Sequence, residues 1–510
     1  VSRIVIASDS DVSGLDPHNF KSDASYAAVE NLYDGLLDLE VEALPDGTFK
    51  ASPQNLSGEI VESWQLSEDE TVVTLHIRPG IGFSDGTPCG ASSIKFTLER
   101  AVIGPGYLFP MMEMLTVTTT EQLRVVDDYA LELHLLHPNP LLWDLLPLNS
   151  FSVMDQANTE AQATPDDPWA SEWYSEHALG TGPYVLGSVM PGQEYVFEPN
   201  PLHWRTDWVR NDGVAMRVIP SAVERMAALQ RGDVDVAYGL EAKHLVHCQE
   251  NPKLRILSFP STICTVMSLN HDVDPFDDVR VRQALCYAIP YEELRTKVMG
   301  AYCQPLLSPI PAGMPTHDGS LWKYTTDLDR ARTLLSEAGH PDGFHSQLIA
   351  REMRADELHA ARIIRRALQP LGVMLEVVAV SDLEYHSQLK QFPLAMFETF
   401  SWVNDPMYHL VANLKGGSGK NLANYDNHHV NDLIERGLYE PDEKRREAMS
   451  VEAQRIIIEE APWALLYQPN HTVVTSSEIT GYALYPDLIP RYRYLTKSPL
   501  RGSIAYPGEE

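Results

Sequence analysis

The segment Gly416-Gly417-Ser418-Gly419-Lys420 is where this chain comes nearest to a reactive motif, a glycine-rich loop ending in lysine. A phosphate-cradling loop of the form G-x-x-x-x-G-K-[ST] would need glycine at 414 and a hydroxyl at 421. Those positions hold Leu and Asn, so the chemistry is absent. There is no G-x-S-x-G nucleophile elbow, no H-E-x-x-H zinc helix and no S-x-x-K set with its S-D-N and K-T-G companions. The 18 histidines invite a metal reading. His428 and His429 point apart on an extended chain and read as a solvated pair, with His409 or His428 as a metal ligand the alternative. Cys89, Cys248, Cys264, Cys286 and Cys303 show no C-x-x-C and no zinc spacing. They read as buried apolar fillers, with one or two disulfides as the alternative. No catalytic residue, metal site or cofactor is expected.

These residues must be positioned by a chain of 510 residues, too long for one hydrophobic core, so two or three lobes are expected. Apolar content of 44% with 22% charged residues is that of a globular protein. No run of about 18 apolar residues is present, and no membrane insertion is expected. The formal charge of −32 argues against nucleic acid, whose phosphates need Lys and Arg, and against anionic membranes. The chain opens at Val1 on a strand-like Arg3-Ile4-Val5-Ile6-Ala7 with no basic-then-apolar leader. It reads as a mature exported protein whose signal has been removed. The lack of a nearby cysteine disfavours a lipid anchor.

Short strands and helices alternate throughout, the pattern of an α/β architecture. Strand-like runs span Val125 to Leu135, Tyr195 to Glu198, Val214 to Ile219, Val266 to Asn270 and Val373 to Val380. Helical runs span Ala222 to Arg231, Arg280 to Ile289, Asp329 to Ala338, Leu358 to Leu368 and Arg445 to Glu460. Gly339 and Gly372 stand just past two of them, as helix ends require. Thr74, His76 and Arg78 alternate with Val73, Leu75 and Ile77 on a further strand, Asp85-Gly86-Thr87-Pro88 has turn chemistry, and a helix starts near Ala91.

Arg78-Pro79-Gly80-Ile81-Gly82-Phe83-Ser84-Asp85-Gly86 through Arg100 resembles a phrase of the extracytoplasmic solute-binding proteins of ABC importers, in the dipeptide, oligopeptide and nickel-binding family (family 5). The resemblance extends along the chain. It takes in Leu15-Asp16-Pro17, Tyr33-Asp34-Gly35-Leu36-Leu37, Gly180-Thr181-Gly182-Pro183-Tyr184 and Pro199 to Trp204. Further on come Ala228 to Asp235, Pro275 to Leu285, Ala331 to Phe344 and Glu459 to Tyr467. Departures are Pro290, where the family usually has Asp, and Cys89-Gly90.

The resemblance implies a two-lobe periplasmic binding protein fold (type II, cluster C) with an extra subdomain and a two-strand hinge. Lobe one would take residues 1–44, 181–261 and 473–510, the extra subdomain 45–180, and lobe two 262–472. The hinge strands would lie near Thr262–Asn270 and Trp463–Val474. It implies capture: two lobes close over a small solute, with a di- or oligopeptide or peptide-like molecule foremost, and present it to ABC permease subunits. The protein would be a periplasmic monomer. Opines, oligosaccharides, nickel chelates and haem are the alternative ligands. A cleft hydrolase or a chemosensory accessory is the alternative of another class.

A peptide's termini, buried, need a carboxylate for the amine and an arginine for the carboxylate. By the resemblance, Trp402 lines the cleft, with ordinary core as the other reading, and Asp405, three residues on, either binds the amine or, being followed by Pro406, only holds a turn. Arg351 stands where dipeptide binders carry their arginine, with Arg354 as a substitute; the other reading is a solvated arginine. Gly416, Gly417 and Ser418 resemble a segment whose backbone pairs with extended ligands, or form a surface loop. Phe20 and Met267 are candidates for the pocket or for the core.

Overall fold

A computed structural model describes residues 3–106 and 108–497; stretch 498–510 of the expected C-terminal return and the opening at Val1 lie outside the described residues. The chain forms two compact units. One is built from the N-terminal strand to Leu240, His244–Leu257 and the chain from Thr472 onward; the other from Glu241–Lys243 and Ser258–His471.

The first unit centres on a seven-stranded sheet in the order Leu254–Phe259, His471–Ser476, Val236–Ala237, Ile4–Ser8, Val214–Val218, Glu194–Pro199, Tyr184–Met190. Ile4–Ser8 runs parallel to both of its neighbours. A separate four-stranded antiparallel sheet joins Val61–Leu66, Val72–Ile77, Ala130–His134 and Leu123–Asp127. In Val72–Ile77 the residues Val73, Leu75 and Ile77 are buried while Thr74 and His76 are half-buried, as period-two alternation requires. The single strand expected over Val125 to Leu135 is instead a hairpin. The Asp127 carboxylate accepts the Tyr129 amide at 2.8 Å, closing a tight turn inside a run that hydropathy alone reads as continuous.

Charged latches tie distant segments of this unit together. Arg100 donates to both carboxylate oxygens of Asp16, at 2.8 and 2.6 Å, with both side chains buried. The Asp34 carboxylate accepts from the Trp204 indole at 3.1 Å and faces His203 at 3.4 Å. The Asp235 carboxylate accepts the Val5 amide at 2.9 Å and pairs with Lys497 at 2.7 Å.

The second unit is a six-stranded sheet in the order Cys303–Gln304, Trp463–Pro469, Cys264–Leu269, Leu394–Thr399, His345–Arg351, Met374–Val380. His345–Arg351 is parallel to both neighbours, and the remaining pairings are antiparallel. One face packs Met267, Leu348, Met396 and Ala464 into a core shared with the helices Val279–Ala288, Leu328–Glu337 and Ala355–Leu368. Asp278 and Asp327 cap the first two of these helices through the amides of Arg280 and Arg330. Gly372 has φ +75°, and a Cβ there would come within 2.1 Å of the Asp342 carbonyl oxygen, so this end demands glycine. Arg282 bonds the main-chain carbonyls of Glu460, Phe276 and Asp277 at 2.8, 2.7 and 3.0 Å, joining the start of this unit to the end of the helix Glu443–Glu460. All five cysteines are free thiols, four of them buried.

Burial keeps two histidines of this unit neutral: His409 is pushed down to about 4 and His271 to about 3. Unfolding lets each take a proton below its ordinary value of about 6.5. Their stabilising contribution is therefore full above that pH and is lost as pH falls toward the folded values. Urea unfolding of His409→Gln should depend less steeply on pH between about 6.5 and 4, by up to about 1.4 kcal/mol per pH unit. An unchanged slope contradicts the neutral assignment.

Candidate ligand-binding site

Three parallel strands of the second unit end together, Arg351 level with Val380 and the strand Leu394–Thr399 beside them. The carboxyl ends of parallel strands are where open α/β sheets bind ligands. Thr265 and Tyr467 come to the same edge from the antiparallel strands, since Thr265 lies opposite both Glu398 and Tyr467. The helix Ala355–Leu368 starts directly after Arg354, which occupies its cap position. That places Asp356 and Glu357 in the first turn, where the helix dipole favours carboxylates.

The result is a compact set of charges. Arg351 donates from Nε to Glu357 at 2.9 Å, its amide donates to the other Glu357 oxygen at 3.1 Å, and its guanidinium lies 5.4 Å from the Tyr385 ring centre. Arg354 donates from Nη2 to both Asp356 and Glu398 at 3.2 Å. Its side chain is 36% exposed and that of Glu398 29%, so this part of the set meets solvent. Glu398, then Asp356, holds the Arg354 guanidinium well above its usual range, against the effect of burial. Asp356 is half-buried, and its partial desolvation alone would raise it, but Arg354 brings it below the usual carboxylate value. Burial lifts Glu357 despite Arg351. Burial also raises the Tyr467 phenol, with the charges of Asp356 and Glu398 adding to it.

The structure thus places Arg351 and Arg354 together at this edge, and adds three acidic partners that sequence reasoning missed. Asp356 and Glu357 follow Arg354 in a helix-start pattern that could have drawn attention. Glu398 comes from a separate strand and carries no local signal.

Asp405 is used otherwise. It caps the helix Pro406–Asn413 by accepting the Tyr408 amide at 2.8 Å, and its second oxygen lies 2.6 Å from Arg446. Its side chain is only 6% exposed. Trp402, half-buried, packs against Phe400 with ring centres 5.1 Å apart. Gly416 donates its amide to Asn431 at 2.9 Å, Gly417 is exposed with φ +80°, and the Ser418 hydroxyl bonds the Ala412 carbonyl. The Ser418 carbonyl accepts from Lys390 at 3.0 Å. Met267 is buried in the core of the second unit. Phe20, in the first unit, is buried edge-on against Tyr26 at 4.2 Å. No cluster of three or more His, Cys, Asp or Glu able to hold a metal occurs among the described residues. No helix among them is long and apolar enough to cross a membrane.

The chain is 25% identical over 503 residues to the glutathione-binding protein GsiB of Escherichia coli K12, covering 95% of this chain and 92% of that protein. Its fold matches the periplasmic binding protein DppA of Helicobacter pylori, solved with the peptide STSA, at a TM-score of 0.85 and 21% identity over 98% of each chain. It also matches MoaA of Agrobacterium tumefaciens R10, solved with mannopinic acid, at a TM-score of 0.82 and 20% identity, over 98% of this chain and all of that one. These neighbours give the two-lobe α/β architecture of periplasmic binding proteins as the fold class. The model of the bacterial extracellular solute-binding proteins, family 5, matches residues 55–421, and the chain belongs to that family.

Proposed function

We propose that this protein is the solute receptor of an ABC importer, taking a short peptide or peptide-like molecule outside the cytoplasm and handing it unaltered to the permease. The observation that carries this reading is the family match over residues 55–421. The names of its relatives, glutathione-binding and peptide- or opine-bound, favour small zwitterions over sugars or metals. The arginine–carboxylate edge of the second unit has the charges such molecules need.

Within this reading the two compact units are the lobes, residues 45–180 are the added subdomain, and the receptor acts as a periplasmic monomer without catalysing a reaction. Arg354 and Arg351 are the ligand's carboxylate partners, and Trp402 offers an apolar wall. The loop of Gly416, Gly417 and Ser418 offers the exposed backbone of Gly417. Asp405 belongs to the scaffold: an amine bound there would have to displace both Arg446 and the helix amide. Met267 and Phe20 are core.

Native mass spectrometry of the purified protein, followed by thermal-shift screening of peptides, opines and sugars, tests the reading. A stabilising peptide or opine supports it; stabilisation by sugars alone contradicts it. Two variants separate the roles. Arg354→Ala should weaken ligand binding by about 10-fold or more, the worth of a charge-assisted hydrogen bond, with little effect on the melting temperature. Asp405→Ala should cost about 3–5 kcal/mol of stability in urea, because it strands Arg446 and uncaps a helix. The reverse pattern would return the amine site to Asp405.

A further inference from the structure

Within the reading above, the geometry points to a narrower ligand class: molecules that carry an ammonium and a carboxylate on the same carbon, as a γ-glutamyl group or an N-substituted amino acid does. We propose that Arg354, Asp356, Glu398 and Thr265 form one subsite for such a head.

Cation and anion at this edge are in direct contact. Arg354 and Glu398 lie 3.2 Å apart, with no room between them for separate anchoring points. The two ends of an α-linked dipeptide sit on different Cα atoms, about 3.8 Å apart, and project in different directions. A single head group instead offers both charges on neighbouring atoms and can enter this contact as a unit.

Two carboxylates also share Arg354, so one of them can change partner without leaving the guanidinium unpaired. Arg351 is matched by Glu357, which leaves Arg354 facing both Asp356 and Glu398. A zwitterionic head leaves the net charge unchanged and offers each partner its complement, its ammonium for Glu398 and its carboxylate for Arg354. Arg354 has donors to spare: its Nη1 makes no hydrogen bond to any described residue. It can keep Asp356 and take the ligand carboxylate while Glu398 turns to the ammonium.

Thr265 is the independent sign of a ligand. It is 5% exposed and directly opposite Glu398 in the register. Its hydroxyl is buried without a hydrogen-bond partner among the described residues. A buried hydroxyl normally finds a partner. An ammonium beside Glu398 would be that partner.

Calorimetric titration of the isomers γ-Glu-Cys and α-Glu-Cys, with an N-carboxyalkyl amino acid as a third probe, decides the matter. The isomers share composition and charge but only the γ form has the compact head. The expected result is at least tenfold tighter binding of γ-Glu-Cys or the N-carboxyalkyl amino acid than of α-Glu-Cys. Glu398→Gln should erase most of that preference, and Thr265→Val should weaken the preferred probe severalfold even if Glu398→Gln does not fold. Equal or tighter binding of the α isomer would overturn the compact-head subsite and leave the peptide receptor standing. Binding of none of the three would also overturn the subsite, while the peptide receptor would fall only if the thermal-shift screen found stabilisation by sugars alone.

Discussion

A buried guanidinium costs several kcal/mol unless its donors are met, and this protein meets most of them with carboxylates and carbonyls that separate chain segments bring together. Arg100 is held by Asp16, 84 residues away in sequence. Arg282 gathers the carbonyls of Phe276, Asp277 and Glu460. Arg225 bonds the carbonyls of Ile219, Pro220, Tyr238 and Gly239. Each arginine is tolerable only if its segments come together, so each fixes a chain crossing as firmly as a stretch of core does. The apolar sheets and helices supply the driving force, and the arginines decide which segments share it.

Arg354 shows the same demand answered differently. Its partners are the side chains of Asp356 and Glu398, and the group is more than a third exposed. Carboxylates on rotatable side chains can exchange partners at little cost, whereas a main-chain carbonyl cannot move without moving its segment. Arg282 and Arg225, held by main-chain carbonyls, and Arg100, buried with Asp16, are fixed by their surroundings, whereas we propose that the more exposed Arg354 is available for exchange with a solute. Asp405, locked between a helix amide and Arg446, stands with the scaffold.

The distinction also explains what could be read from the chain alone. Asp16, Arg100, Asp34, Trp204 and Arg282 all lie in the motifs that carry the family resemblance, because those latches build the fold. Helices that start at an aspartate or serine cap, such as Ala222–Arg231, were legible from local pattern. The turn at Asp128-Tyr129 was hidden inside a hydrophobic run. Glu398 was out of reach, since its meeting with Arg354 and Thr265 depends on strand order and register across residues far apart in sequence. Asp405 was ambiguous because Asp-Pro after Trp402 fits a ligand anchor and a helix cap equally until Arg446 is seen beside it.

The central claim is that Arg354 exchanges a protein carboxylate for the solute's own. A double-mutant cycle tests it most directly, pairing Arg354→Gln with a bound solute and its carboxamide analogue in calorimetric titration. The account predicts a coupling of about 1.5–3 kcal/mol between the guanidinium and the carboxylate, as for a charge-assisted hydrogen bond. Strictly additive losses would contradict it, for they would mean that the solute's carboxylate is held elsewhere.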